Sequence, residues 1–162
     1  MSASSRAGLR VSESPWVRLL AVAVFAVAFA LVEAMVFYYL RKLFALQYSA
    51  VYTARRFHFP HPYLSHEQAR EAATIVMLLA VGFLAGRGWW QRLAYFLFAF
   101  GLWDIGYYVA LKILLDWPAS LATRDLLFLT PGEWWAPVWQ PVVVSCGLIA
   151  AAVLVLRWRP RT

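Results

Sequence analysis

Long apolar stretches alternate with short polar ones along this chain, and the pattern predicts four membrane-spanning helices. The hydrocarbon core of a bilayer is about 30 Å thick, so a spanning helix needs roughly 20 predominantly apolar residues. Four stretches meet that length, at about residues 16–40, 66–86, 90–115 and 138–157. We therefore predict an all-α fold class, an integral membrane bundle of four transmembrane helices, with residues 1–162 forming a single domain.

The three connections between the predicted helices differ in kind. The second and third helices are joined by "GRGWW" alone, which predicts a tight turn. The first connection contains Pro60 and Pro62 and predicts a loop, followed by a helix whose N-cap is Ser65 in a capping box with Gln68. Between the third and fourth helices, "PASLATRDLLFLTP" has an amphipathic pattern and predicts a short helix lying in the membrane interface.

Composition supports insertion in a membrane. The chain is 63% hydrophobic and only 14% charged, which leaves too little polar surface to cover a soluble domain. Its single cysteine, Cys146, excludes an internal disulfide and a dithiol redox pair. The net charge of +7 comes mainly from basic residues that flank the apolar stretches, so we attribute it to membrane topology and expect no nucleic-acid partner.

The distribution of basic residues predicts the orientation of the chain in the membrane. With four spans, both termini and the "GRGWW" turn lie on one side of the membrane. That side holds eight basic residues against seven on the other, and the positive-inside rule favours the richer side as cytoplasmic. We therefore predict that both termini are cytoplasmic.

Acidic residues inside the predicted helices form a candidate polar layer. At 1.5 Å rise per residue, Glu33 lies about 25 Å and Asp104 about 21 Å from the cytoplasmic ends of their helices, while Glu71 lies about 8 Å from the outer end. We expect the three carboxyls to converge at one height and to point inward, because a charge facing lipid costs about 2.5–3.5 kcal/mol or more. Glu33 or Asp104 is expected to be protonated, or ion-paired with Arg70 or Lys112.

The candidate ligand-binding residues surround this layer. An ionisable residue within a membrane helix indicates a functional site. Aromatic side chains next to it are suited to line a cavity for an amphipathic ligand such as a lipid headgroup or a quinone. The predicted ligand-binding residues are Glu33, Glu71, Trp103, Asp104, Tyr107, Tyr108 and Lys112.

Three functions stay open on the sequence, and no cofactor or catalytic residue is assigned. The favoured one is an accessory or anchoring subunit of a larger membrane complex, in contact with the lipid bilayer and with other membrane subunits or further copies of itself. In such a subunit, the polar residues of the helices form interhelical hydrogen bonds. The aromatic residues, 17% of the chain, supply contact surface for the partner. The second is a binding site for a lipid, quinone, ion or proton that opens to the outer face.

The third function is a metal-dependent membrane enzyme. Its candidate ligands are His58, His61, His66 and Glu67. Four-helix bundles do hold carboxylate–histidine metal sites. However, the Glu-x-x-His and His-Glu-x-x-His spacings that such sites use are absent from this sequence, which makes this function the least favoured of the three.

Overall fold

The computed structural model describes residues 15–43, 61–130 and 132–158, with the side chains at 15, 41, 43 and 61–63 excepted. The helices are α1 (Pro15–Leu43), α2 (His61–Ala85), α3 (Trp89–Leu115) and α4 (Trp139–Trp158), and the strands are β1 (Arg124–Phe128) and β2 (Trp134–Pro137). All four helices are long and apolar enough to cross a membrane, as the sequence predicts.

Helix α3 occupies the centre of the packing. It packs extensively against α1, α2 and α4, whereas α1 and α2 touch over only a short stretch and α2 and α4 hardly touch. The four helices therefore do not form a closed ring in which each helix packs against the next one in the chain. Helices α2 and α4 are therefore held together mainly through α3 and not by direct packing on each other.

Small residues set the distances at which α1 and α4 cross α3. A Cβ added to Gly106 would lie 2.9 Å from the Cβ of Ala30, and one added to Gly101 would lie 2.7 Å from the carbonyl oxygen of Ser145. Both distances are shorter than a normal carbon contact, so any larger side chain would push the helices apart. The alanine repeat of α1 is fully buried, as expected for close helix packing: Ala26, Ala30 and Ala34.

The connection between α3 and α4 contains a β-hairpin. Strands β1 and β2 pair antiparallel, with Asp125 opposite Ala136 and Leu126 opposite Trp135. The predicted interfacial helix is therefore wrong, and the described residues 116–138 contain no helical segment before the first turn of α4. The Pro-Gly dipeptide at 131–132 lies between two short apolar runs, which is a turn signal for a hairpin, and pairing of the strands satisfies their backbone groups.

Helix α2 begins earlier than the sequence pattern predicts. It starts at His61 and includes both Pro62 and Ser65, so the predicted loop at Pro62 and the predicted N-cap at Ser65 are wrong. Proline is tolerated in the first turn of a helix because the N–H groups there have no intrahelical acceptor. Pro60 lies outside the described residues.

The core is divided between two halves of the molecule. The turn half is the half nearer the α2–α3 turn and comprises residues 15–29, 76–102 and 146–158. The hairpin half is the other half and comprises residues 30–43, 61–75 and 103–145. Each half contains a cluster of buried hydrophobic side chains. The cluster of the turn half includes Val22, Leu78, Tyr95 and Ala99, and that of the hairpin half includes Ala34, Tyr108, Leu111, Trp117 and Val138. Every acidic side chain that the structure describes lies in the hairpin half.

Candidate functional site

A cavity of about 460 Å³ lies in the hairpin half and is lined by all four helices and both strands. Its volume falls within the range of about 300–1,000 Å³ that is typical of small-molecule sites. Most of the wall is apolar or aromatic, and the aromatic part includes Phe37, Phe100, Trp103, Tyr107, Trp134 and Trp135. Most of the polar groups belong to three sets of contacts: one joins α1 and α2, one joins α3 and α4, and one joins the hairpin to α2 and α3.

On the side of α1 and α2, one guanidinium group joins two buried carboxylates. The Nη1 atom of Arg70 forms an ion pair with Glu33, and its Nε atom donates to Oε2 of Glu67 at 2.9 Å. The hydroxyl of Thr74 donates to the other oxygen of Glu33 at 2.9 Å. The ion pair between Glu33 and Arg70 is one of the partnerships that the sequence predicts, and it places the α1 acid on the inner side of its helix.

On the side of α3 and α4, Asp104 has a neutral partner. The hydroxyl of Ser145 donates to Oδ2 of Asp104 at 2.8 Å. The close crossing at Gly101, one turn before Asp104, brings the α4 backbone near enough for a serine side chain to reach α3. Neither an arginine nor a lysine of the described chain forms an ion pair with Asp104.

The hairpin covers the cavity and is held there by side chains of α2 and α3. Oε2 of Glu71 accepts a hydrogen bond from the backbone N–H of Leu129 at 2.8 Å, and the amide of Gln68 donates to the carbonyl oxygen of Leu129 at 3.4 Å. The hydroxyl of Tyr108 donates to Oδ2 of Asp125 at 2.9 Å. These bonds fix β1 and the residue that follows it against α3, which precedes the hairpin in the chain, and against α2, which is distant in sequence.

Most of the predicted ligand-binding residues line this one cavity: Glu33, Glu71, Trp103, Asp104, Tyr107 and Tyr108. Lys112 differs, because its exposed ammonium group pairs with Asp116 at 2.7 Å and donates to the carbonyl oxygen of Pro118 at 3.2 Å, outside the cavity wall. A lysine two turns beyond Asp104 has a stem long enough to carry its charge toward the aqueous end of the helix. The inclusion of Lys112 in the site is therefore corrected.

The predicted metal ligands are not brought together by the described part of the chain. His58 and the side chain of His61 lie outside it, and His66 is exposed. Glu67 is buried and bonded to Arg70. Among the described side chains, no group of three or more histidine, cysteine, aspartate or glutamate residues is arranged to hold a metal ion.

Several polar residues of the site are not among those predicted to bind a ligand, including Arg70, Ser145 and Asp125. The sequence predicts Arg70 only as an ion-pair partner, and Ser145 is a small residue whose role depends on the helix crossing at Gly101. Asp125 falls in the stretch for which the sequence predicts an interfacial helix. The only sequence signal for its position was the Pro-Gly turn that follows β1.

Comparison with known proteins adds nothing to this geometry. No family model, no curated protein and no solved structure matches the chain. The function is therefore inferred from the cavity and from the surface around it.

Proposed function

We propose that this chain is a multi-pass membrane protein that binds an amphipathic small molecule in the cavity of its hairpin half. Membrane insertion is supported by the outward faces of the helices, which are apolar on every side. Water-soluble proteins rarely expose continuous apolar surface of this extent. The exposed apolar side chains include Leu20, Val24, Val76, Leu84, Ile113 and Leu154.

The observation that carries the binding proposal is the combination of an apolar cavity with buried polar groups and an apolar rim. Val143 and Val144 of α4 line the cavity and are 60% and 58% exposed. Helix α2 also lines the cavity and hardly touches α4. We propose that the ligand enters between these two helices from the hydrocarbon of the bilayer, so that it reaches the polar groups without passing through water.

The accessory-subunit function stays a prediction, and the cavity favours ligand binding over it. Hydrogen bonds that only fix the helices would be expected in a close-packed interior, because protein interiors leave few voids larger than a water molecule. A stable partner would be recovered in stoichiometric amount by purification in a mild detergent. Native mass spectrometry of the purified protein distinguishes the two functions, since it detects a partner chain and a bound small molecule in one measurement.

A matched pair of substitutions on α2 tests the binding proposal. Ile75 lines the cavity, whereas its neighbour Val76 is 63% exposed on the outer surface. We expect Ile75→Trp to fill the cavity and to remove a co-purifying ligand from the mass spectrum, while Val76→Trp retains it. Equal retention by both variants, or no ligand in the wild-type protein under conditions that preserve bound lipid, would contradict the proposal.

The proposed orientation places the α2–α3 turn and both termini in the cytoplasm. Its support is the small excess of basic residues on that side, eight against seven. In a Cys146→Ala background, a membrane-impermeant maleimide is expected to label Glu133→Cys in intact cells and Arg87→Cys only after permeabilisation. The reverse labelling pattern would show the opposite orientation.

A further inference from the structure

Carboxyl groups outnumber cations in the wall of the cavity. Arg70 is the one basic residue among the described residues that line it, and its single charge is shared between two of the acids. The lining acids are Glu33, Glu67, Glu71, Asp104 and Asp125. The polar side of the cavity is therefore rich in hydrogen-bond acceptors and poor in positive charge.

The hydrogen bonds of these acids leave acceptors unused. Both oxygens of Glu33 are bonded, to Thr74 and to Arg70. The remaining oxygens, Oε1 of Glu67, Oε1 of Glu71 and Oδ1 of Asp104, have no donor among the described residues. Each of these three atoms keeps some accessible surface, and all three residues line the cavity.

We propose that the ligand is a protonated amine with an apolar tail, an inference that rests on the proposed function. An ammonium group supplies both the N–H donors that the unused carboxylate oxygens lack and the positive charge that the wall lacks. The stacked rings of Trp103 and Tyr107, whose centroids are 6.5 Å apart, also line the cavity and supply apolar surface for the tail. An anionic headgroup would be repelled by the same carboxyls, and the carbonyls of a quinone would supply no donor to the unused carboxylate oxygens.

Asp104 is the acid that recognises the amine. Its partner Ser145 is neutral, and no cation of the described residues pairs with it, so an ammonium group would be the ion-pair partner that Glu33 already has in Arg70. It also directly follows Trp103 in the chain, and Trp103 lines the same cavity. Glu71 also has a neutral partner, but its bond to the backbone of Leu129 holds the hairpin in place.

A ligand series with one tail and different headgroups tests this inference on the full-length protein in nanodiscs of zwitterionic lipid. The series is dodecylamine, dodecyltrimethylammonium, dodecanol and dodecyl sulfate, and binding is followed by tryptophan fluorescence and calorimetry. We expect dodecylamine to bind tightest, dodecyltrimethylammonium and dodecanol more weakly, and dodecyl sulfate weakest. Because the order is measured on the wild-type protein, it stays informative even if a substituted protein does not fold.

A substitution on α3 and a control directly after that helix then identify the recognising group. Asp104→Asn is expected to weaken dodecylamine binding by about tenfold to a hundredfold, as for loss of one charge-assisted hydrogen bond, and to leave dodecanol binding unchanged. The control is Asp116→Asn, since Asp116 is exposed outside the cavity and its left-handed backbone conformation suits asparagine. This control is expected to bind dodecylamine like the wild-type protein.

The outcomes separate this inference from the function on which it rests. If dodecanol or dodecyltrimethylammonium binds as tightly as dodecylamine, and Ile75→Trp abolishes both, the cavity binds amphipaths and the amine inference is overturned. Tightest binding of dodecyl sulfate overturns it as well. If no compound binds in a way that Ile75→Trp affects, the proposed function itself fails.

Discussion

The two halves of the molecule are built from the same four helices but are held together in different ways. In the turn half, apart from one hydrogen bond from Arg18 to the carbonyl oxygen of Ala85, the helices meet mainly through apolar side chains and at a close crossing, where a Cβ on Gly82 would lie 2.7 Å from the Cβ of Phe96. In the hairpin half, acids and their partners link the elements through side-chain hydrogen bonds, as between Glu33 and Thr74 or Asp104 and Ser145. The first half is closely packed, and the second encloses the cavity.

The difference shows how a membrane protein gains stability and where it makes room for a ligand. Between helices in lipid the hydrophobic effect is absent, so close packing and interhelical hydrogen bonds take its place. Close packing leaves no space. Hydrogen bonds between long polar side chains, such as that of Arg70 to Glu33, hold helices together at a greater separation and leave a cavity between them.

The largest expected effect comes from the ion pairs of the hairpin half. Arg70→Leu leaves the buried carboxylates of Glu33 and Glu67 without a cation, and we expect the free energy of unfolding to fall by about 3 kcal/mol. We take this value from the lower end of the range for breaking a buried ion pair, because the Arg70 side chain is 36% exposed. The measurement is equilibrium unfolding in mixed micelles, followed by circular dichroism.

The control for this change is the exposed pair at the end of α3. Lys112 and Asp116 have side chains that are 51% and 92% exposed, so Lys112→Leu is expected to cost less than about 1 kcal/mol. A loss for Lys112→Leu as large as that for Arg70→Leu would show that burial does not distinguish the two ion pairs.

The next effect tests close packing at the boundary between the halves. Gly101→Val would place a Cβ 2.7 Å from the carbonyl oxygen of Ser145, and we expect α4 to move away at a cost of about 2 kcal/mol. Gly147→Val on α4 is the matched control, because a Cβ there meets no atom within 4 Å. The same unfolding measurement checks both variants, and equal stabilities would refute a role for Gly101 in the crossing.

The smallest effect concerns the attachment of the hairpin. Tyr108→Phe removes the hydrogen bond to Asp125 at a cost of about 1 kcal/mol. Because the lost bond is local, we expect its loss to make hydrogen exchange of the β1 amides roughly fivefold faster. Tyr39→Phe, at a tyrosine exposed on α1, should leave their exchange unchanged. Unchanged exchange in Tyr108→Phe would mean that other contacts fix β1.

The sequence alone determined the helices and the general position of the acids. A run of about 20 apolar residues can satisfy its backbone hydrogen bonds in lipid only as a helix. Length and composition were therefore sufficient to predict the four helices. The cost of exposing a carboxylate to hydrocarbon was sufficient to predict that Glu33, Glu71 and Asp104 face inward. All three line the cavity.

Only the tertiary structure decided how these groups are paired and what covers them. Short apolar runs such as 126–129 have no period long enough to distinguish a strand from a helix, so the hairpin was missed, and with it the bond from Tyr108 to Asp125. The placement of Arg70 between Glu33 and Glu67 depends on the rotation of α2 against α1. The cavity exists because side chains from four helices and two strands meet at one point, and no local pattern in the chain encodes the distances between those elements.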